Sequence, residues 1–106
     1  MIPVPEPLQP GATIGLLGGG QLARMLVLAG HAMGFRFLVL EPNPHCPAAL
    51  AGAEQITASY TDREALVKLA DSCQLVTYEF ENVDAEAVSW LEERVDVPQG
   101  SEILRI

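Results

Sequence analysis

Ile14-Gly-Leu-Leu-Gly-Gly-Gly-Gln-Leu-Ala-Arg-Met25 reads as a buried strand that passes through a glycine turn straight into a helix, and this reading decides the fold. Gly18 permits a tight turn at the end of the strand. Gly20 lets a ligand or a neighbouring backbone approach without a Cβ in the way, and the small Ala23 lets the helix sit close to the strand. The spacing is G-x-G-x-x-A. A helix that opens near Gln21 aims its unpaired amides and the positive end of its dipole at the turn, which favours phosphate or carboxylate there. Glycines so placed also serve plain strand-to-helix packing, so the motif by itself leaves both readings open.

Downstream, Leu22, Met25, Leu26, Ala29 and Met33 recur at helical spacing and predict the inward stripe of a helix of about four turns, closed by a left-handed Gly34. Gly30 inside it implies close packing. Phe35 to Leu40 is a second strand, so a right-handed βαβ unit is complete by residue 40. Glu41 follows Gly18 by 23 residues, close to where a dinucleotide-binding fold places the acid for a ribose hydroxyl. A solvated carboxylate at a strand end is the equal alternative. Pro42-Asn-Pro-His-Cys-Pro47 is a rigid loop on the same sheet edge as the glycine turn, the edge where open α/β sheets bind ligands.

Ala48 to Ala51 predicts one helical turn, and Glu54 to Ala58 a short third strand. Thr61-Asp-Arg-Glu64 reads as a capping box with Thr61 as the cap, followed by an inward stripe of Ala65, Leu66, Leu69, Ala70 and Cys73. Leu75 to Phe80 is a fourth strand. In a doubly wound order 3-2-1-4 its end lies beside the glycine turn, which brings Glu81 and Asn82 to the site and leaves Asp84 to cap a helix over Ala85 to Glu93. Glu79, between Tyr78 and Phe80, needs a partner if it is buried. Val95 to Pro98 reads as a fifth strand. The organisation expected is a proline-rich arm at 1–11, one Rossmann-like domain at 12–100, and the opening of a further helix, capped at Ser101, at 101–106.

Composition narrows the partners. The chain has 106 residues, 49% of them hydrophobic, and a formal net charge of −8. That charge repels nucleic acid and anionic membrane. Eleven of its fourteen carboxylates lie from Asp62 onward, so the glycine turn can still be locally positive. The apolar runs are shorter than a membrane span, and the start has no basic region of a signal peptide, which makes a cytoplasmic setting the expectation. Cys46 and Cys73 show no metal-ligand spacing with each other or with His31 and His45, and are expected as buried free thiols. His45-Cys46 carries little weight as a nucleophilic pair, because neighbours in sequence rarely face each other.

Four stretches in register carry a resemblance: Ile14 to Met25, Leu40-Glu-Pro-Asn-Pro-His-Cys-Pro-Ala-Ala49, Ala58-Ser-Tyr-Thr-Asp-Arg-Glu-Ala65 and Tyr78-Glu-Phe-Glu-Asn-Val83. Together they resemble the carboxyaminoimidazole ribonucleotide synthetases, purine-biosynthesis ligases of the ATP-grasp superfamily, from about residue 12 to the end. The resemblance implies a pre-ATP-grasp domain: an α/β fold with a Rossmann-like parallel sheet of four to five strands flanked by helices. In that family ATP, bicarbonate and aminoimidazole ribonucleotide react through carboxyphosphate. By resemblance Gly19, Gly20, Gln21, Leu22, Glu81 and Asn82 border the ribonucleotide pocket, and Glu41 falls in the proline-rich loop rather than on a nicotinamide ribose. ATP and magnesium belong to the following domains, so the chain alone is expected to be inactive, with no cofactor or metal of its own and a weak, partial ribonucleotide site. Two other readings stay open: a nicotinamide-binding dehydrogenase module, and a non-enzymatic module that self-associates as a homo-oligomer.

Overall fold

The computed structural model describes residues 9–78 and 85–98. The arm up to residue 8, residues 79–84 and residues 99–106 fall outside it, and with them the expectations for Glu79, Glu81, Asn82, Asp84 and the Ser101 cap. In chain order the elements are β1 (Thr13–Leu17), α1 (Gln21–Ala32), β2 (Arg36–Leu40), α2 (Pro47–Leu50), β3 (Glu54–Ile56), α3 (Arg63–Ser72), β4 (Leu75–Tyr78) and α4 (Ala85–Glu92). The strands form one parallel sheet in the order β3-β2-β1-β4. Register puts Leu17 beside both Leu40 and Tyr78, so β1, β2 and β4 end level and their following loops share one edge.

The central strands β1 and β2 are buried on both faces because they are apolar on both, as parallel sheets require, while the edge strand β3 is polar at Glu54 and Gln55 and only partly covered. Ile14, Leu16, Phe37 and Val39 pack beneath α1 and α2 with Ala23, Val27 and Ala48. Leu17, Leu38, Leu40, Val76 and Tyr78 pack on the other face against α3 and α4, where Leu66, Leu69, Val88 and Leu91 are fully enclosed. The stripe expected of α3, Ala65, Leu66, Leu69, Ala70 and Cys73, is the buried one. The expected fifth strand is a single parallel bridge, Leu75 to Asp96, fixed by the Val76 amide donating to the Asp96 carbonyl at 2.8 Å.

Two local expectations are corrected. The cap of α3 is Asp62, whose carboxylate accepts from the Ala65 amide at 3.2 Å; Thr61 instead shares a hydrogen bond with the Ser59 hydroxyl at 2.9 Å. The second correction concerns the face of α1. Leu22, Met25, Leu26 and Met33 are 71%, 61%, 40% and 64% exposed, and Ala29 is exposed too, whereas Ala23, Val27 and Gly30 are buried. The reason is steric. The helix approaches the sheet so closely that a Cβ on Gly30 would overlap the Phe37 ring, so only small side chains fit between them. The larger residues keep their helical period but lie about a quarter turn round from the contact. Gly34 ends the helix as expected, at φ +90°, with its amide donating to the His31 carbonyl at 3.0 Å.

The rotated face of α1 is open to measurement. In urea denaturation, Val27→Ala should cost about 2 kcal/mol, because it empties a fully enclosed position, while Met25→Gln should stay within about 0.5 kcal/mol, as an open surface position does. Gly30→Ala should destabilise by about 1–3 kcal/mol despite alanine's better helix propensity, since the new methyl displaces Phe37.

Candidate substrate pocket

The pocket grows out of the turn that follows β1. Gly18 stands at φ +96°, a conformation that side chains rarely adopt, and its amide donates to the Leu40 carbonyl at 3.0 Å, closing the sheet at its end. Gly19 comes next. A Cβ there would overlap the Cys46 thiol and press on the Glu41 side chain, so glycine is what lets the proline loop lie against the turn. The Gly19 carbonyl accepts from the Ala48 amide at 3.0 Å, which ties the turn to the start of α2. Gly20 is the N-cap of α1 and brings no side chain to its amides; the first turn holds no acid. Gln21 and Leu22 are both exposed at that end of the helix.

Opposite the turn runs the proline loop. A cleft of about 320 Å³ lies between them, lined among others by Gly19, Gly20, Glu41, Asn43, His45 and Cys46. His45 is exposed and sits at φ 57°, a strained backbone for a side-chain-bearing residue, directly after Pro44 and two residues before Pro47. Its neighbour Cys46 is buried, and its thiol donates to the Gln55 side-chain carbonyl at 3.3 Å. The two do not form a nucleophilic pair, because one faces solvent and the other the core. A larger hollow of about 420 Å³ opens elsewhere, near Thr13, His31, Arg36, Glu54 and Lys68, and includes none of the glycine turn.

Glu41 is the residue that spacing alone left undecided between a ribose ligand and a solvated strand end. It is neither. Its side chain is 7% exposed, with Oε1 accepting from the Gly19 amide at 3.2 Å and from the Tyr60 hydroxyl at 3.0 Å, and Oε2 accepting from the Asn43 amide at 2.8 Å. Gln55 donates to the Glu41 main-chain carbonyl at 3.2 Å and to that of Asn43 at 2.7 Å. Four segments are thereby joined: the glycine turn, the proline loop, β3 and the loop before α3. Sequence reasoning had no reason to place Tyr60 and Gln55 here. The available signal was an acid directly after four enclosed strand residues, a place where a carboxylate must find donors.

The positive charge near the turn comes from the backbone more than from side chains. Arg24 stands in the first turn of α1, but Arg63 and Arg94 are engaged elsewhere, lying 4.8 Å and 3.8 Å from the centroid of the Trp90 ring. Among the described residues no group of three or more His, Cys, Asp or Glu side chains could hold a metal ion. Among them, too, no helix is long and apolar enough to cross a membrane.

A family model, the ribonucleotide synthetase pre-ATP-grasp domain, matches residues 11–106. The chain belongs to this family. It is 44% identical over 99 residues to the N5-carboxyaminoimidazole ribonucleotide synthase of Bacillus subtilis, covering 93% of this chain and 26% of the relative. Among solved structures, an ADP complex of an N5-carboxyaminoimidazole ribonucleotide synthetase superposes with a TM-score of 0.87 at 46% identity, over 92% of this chain and 26% of that one. The synthase of Aspergillus clavatus in complex with ADP and 5-aminoimidazole ribonucleotide gives 0.78 at 34% identity, over 90% and 26%. The chain thus spans about a quarter of the length of the relatives it matches. The resemblance read from the four stretches and the parallel α/β architecture both stand. Of the residues expected at the site, Gly19 and Gly20 line the cleft, whereas Gln21 and Leu22 follow as exposed residues at the start of α1 and are not part of its lining; β4 runs toward the same edge, and Glu81 and Asn82, beyond its described end, lie outside the described residues.

Both thiols give a check on the packing around this region. Burial pushes the Cys73 thiol up from 9.0 to about 12. Its pKa is raised in the folded state, so its stabilising contribution is complete below pH 9.0, where the unfolded thiol keeps its proton, and is lost as pH climbs toward about 12. Stability in urea should fall from about pH 9 upward, and Cys73→Ala should flatten that fall. A disulfide reagent at about pH 8 should label neither thiol in the native chain and both after denaturation.

Proposed function

We propose that this chain is the ribonucleotide-receiving part of a carboxyaminoimidazole ribonucleotide synthetase, with Gly19, Gly20, Gln21 and Leu22 on one side of the site and Glu81 and Asn82 on the other. The observation that carries the reading is the opening of α1 at the cleft with a glycine as its N-cap, on the sheet edge shared by the loops after β1, β2 and β4, within a chain of this family. Helix amides and a positive dipole end suit the polar, anionic face of a ribonucleotide. In the proposed reaction ATP and bicarbonate give carboxyphosphate, which carboxylates the aminoimidazole amine in a step of purine biosynthesis. ATP and magnesium would be held outside this chain. Transfer of a phosphoryl group needs cations and metal gathered at the phosphate, so this chain by itself binds without turnover, in a cytoplasmic setting.

On this reading the residues that grip the substrate phosphate lie outside this chain, so affinity is low. An amide-resolved NMR titration with aminoimidazole ribonucleotide should shift the signals of Gly18 to Leu22, Glu81 and Asn82, with a Kd weaker than about 1 mM. NADH, the ligand of a dinucleotide module, should leave the turn unmoved. Shifts with NADH and not with the ribonucleotide would reverse the assignment. The exposed stripe of Leu22, Met25, Leu26 and Met33 supports a second, compatible reading, self-association through α1, since contiguous apolar surface promotes contact between copies. Sedimentation should then show mass rising with concentration, and Met25→Asp should abolish the rise.

A further inference from the structure

The Glu41 carboxylate spends its hydrogen bonds inward. Oε1 holds one amide and one hydroxyl, Oε2 holds a second amide, and the side chain is enclosed. A carboxylate accepts and never donates, so three converging donors suit it, and bonds to a charged acceptor are among the stronger ones in proteins. The donors come from three different segments. Gly19 belongs to the turn after β1, Asn43 to the proline loop and Tyr60 to the loop before α3, and without the carboxylate the Gly19 and Asn43 amides would lose the acceptor they share.

We propose that Glu41 is a positioning residue for the ribonucleotide site: it fixes the glycine turn against the proline loop and commits the Gly19 amide internally, leaving the amides from Gly20 to Leu22 to receive the ligand. This rests on the reading of the site given above and deepens it, since it assigns different parts of the turn to scaffold and to ligand. The Gly19 peptide is bonded at both ends, through its amide to Glu41 and through its carbonyl to the Ala48 amide. Gly20 follows at once and begins the helix. The carboxylate therefore sets where that helix opens relative to the cleft that Glu41 itself helps to line.

The test uses this chain and two readouts. Amide hydrogen exchange in the ligand-free protein reports the brace itself. In Glu41→Ala, and less strongly in Glu41→Gln, which keeps the side chain's shape and one acceptor oxygen, the Gly19 and Asn43 amides should exchange about tenfold faster. Leu17 and Val39 in the central strands should be unchanged. Tyr60→Phe removes one bond from the same carboxylate and leaves Glu41 in place, so it serves if the Glu41 variants do not fold; it should speed Gly19 exchange about threefold. The initial slope of the NMR titration with aminoimidazole ribonucleotide reports transmission to the ligand. That slope should fall in the order wild type, Glu41→Gln, Glu41→Ala.

Unchanged Gly19 exchange in Glu41→Ala would overturn the proposal. So would a reduced slope with Gly19 protection intact, which would make Glu41 a direct ligand contact, or lost protection with an unchanged slope, which would make the brace irrelevant to binding. A wild-type chain that shows no ribonucleotide shifts would instead overturn the reading of the site, and Gly19 exchange would still decide whether Glu41 holds the turn.

Discussion

The missing Cβ of Gly19 is the constraint on which the ligand edge of this fold depends. A side chain there would strike Cys46 and Glu41, so the proline loop would have to withdraw, and with it the start of α2 that bonds the Gly19 carbonyl. The same device recurs deeper in the sheet. Gly15 leaves room for Cys73 and Val76 on one face, and Gly30 leaves room for Phe37 on the other. Layers that approach this closely pack well with small residues, and the larger apolar side chains of α1 are then left on its flank.

That crowding explains what could and could not be read from the sequence. Strands β1, β2 and β4 were legible because short apolar runs bounded by glycine and polar residues suit a sheet covered on both faces, and in the order β3-β2-β1-β4 right-handed crossovers put α1 and α3 on opposite faces. The stripe of α3 was legible because its large apolar residues do face the core. For α1 the period was right and the face was wrong. Hydrophobic periodicity weighs side-chain size, whereas this helix is seated by Ala23, Val27 and Gly30. The α3 cap was displaced by one residue for a similar local reason: Thr61 had a hydroxyl partner in Ser59 and left the cap to Asp62.

At the site, the turn was legible because glycine spacing is a backbone requirement and shows directly in sequence. Glu41 was not, because its role depends on donors from loops 19 residues downstream and 22 upstream, and no periodicity connects them. Nor does net charge help. The chain is strongly acidic, yet this enclosed carboxylate is met by amides and a hydroxyl, while two of the six cations lie over Trp90. Local dipoles, fixed by the fold, do here what counter-ions do on a surface.

The direction in which that carboxylate faces separates two functions that share one sequence pattern. G-x-G-x-x-A with an acid about twenty residues on fits a dinucleotide site when the acid points out to a ribose. Here the spacing is met and the acid points in, with both oxygens engaged by the protein's own donors. A carboxylate has about four acceptor sites and the protein's own donors fill three, so a ribose hydroxyl offered to the cleft finds one site on Oε2 and must displace a main-chain amide for any second bond, at a cost of about 1–3 kcal/mol. The architecture that suits nucleotides is kept, and the position that would select a dinucleotide has become part of the wall.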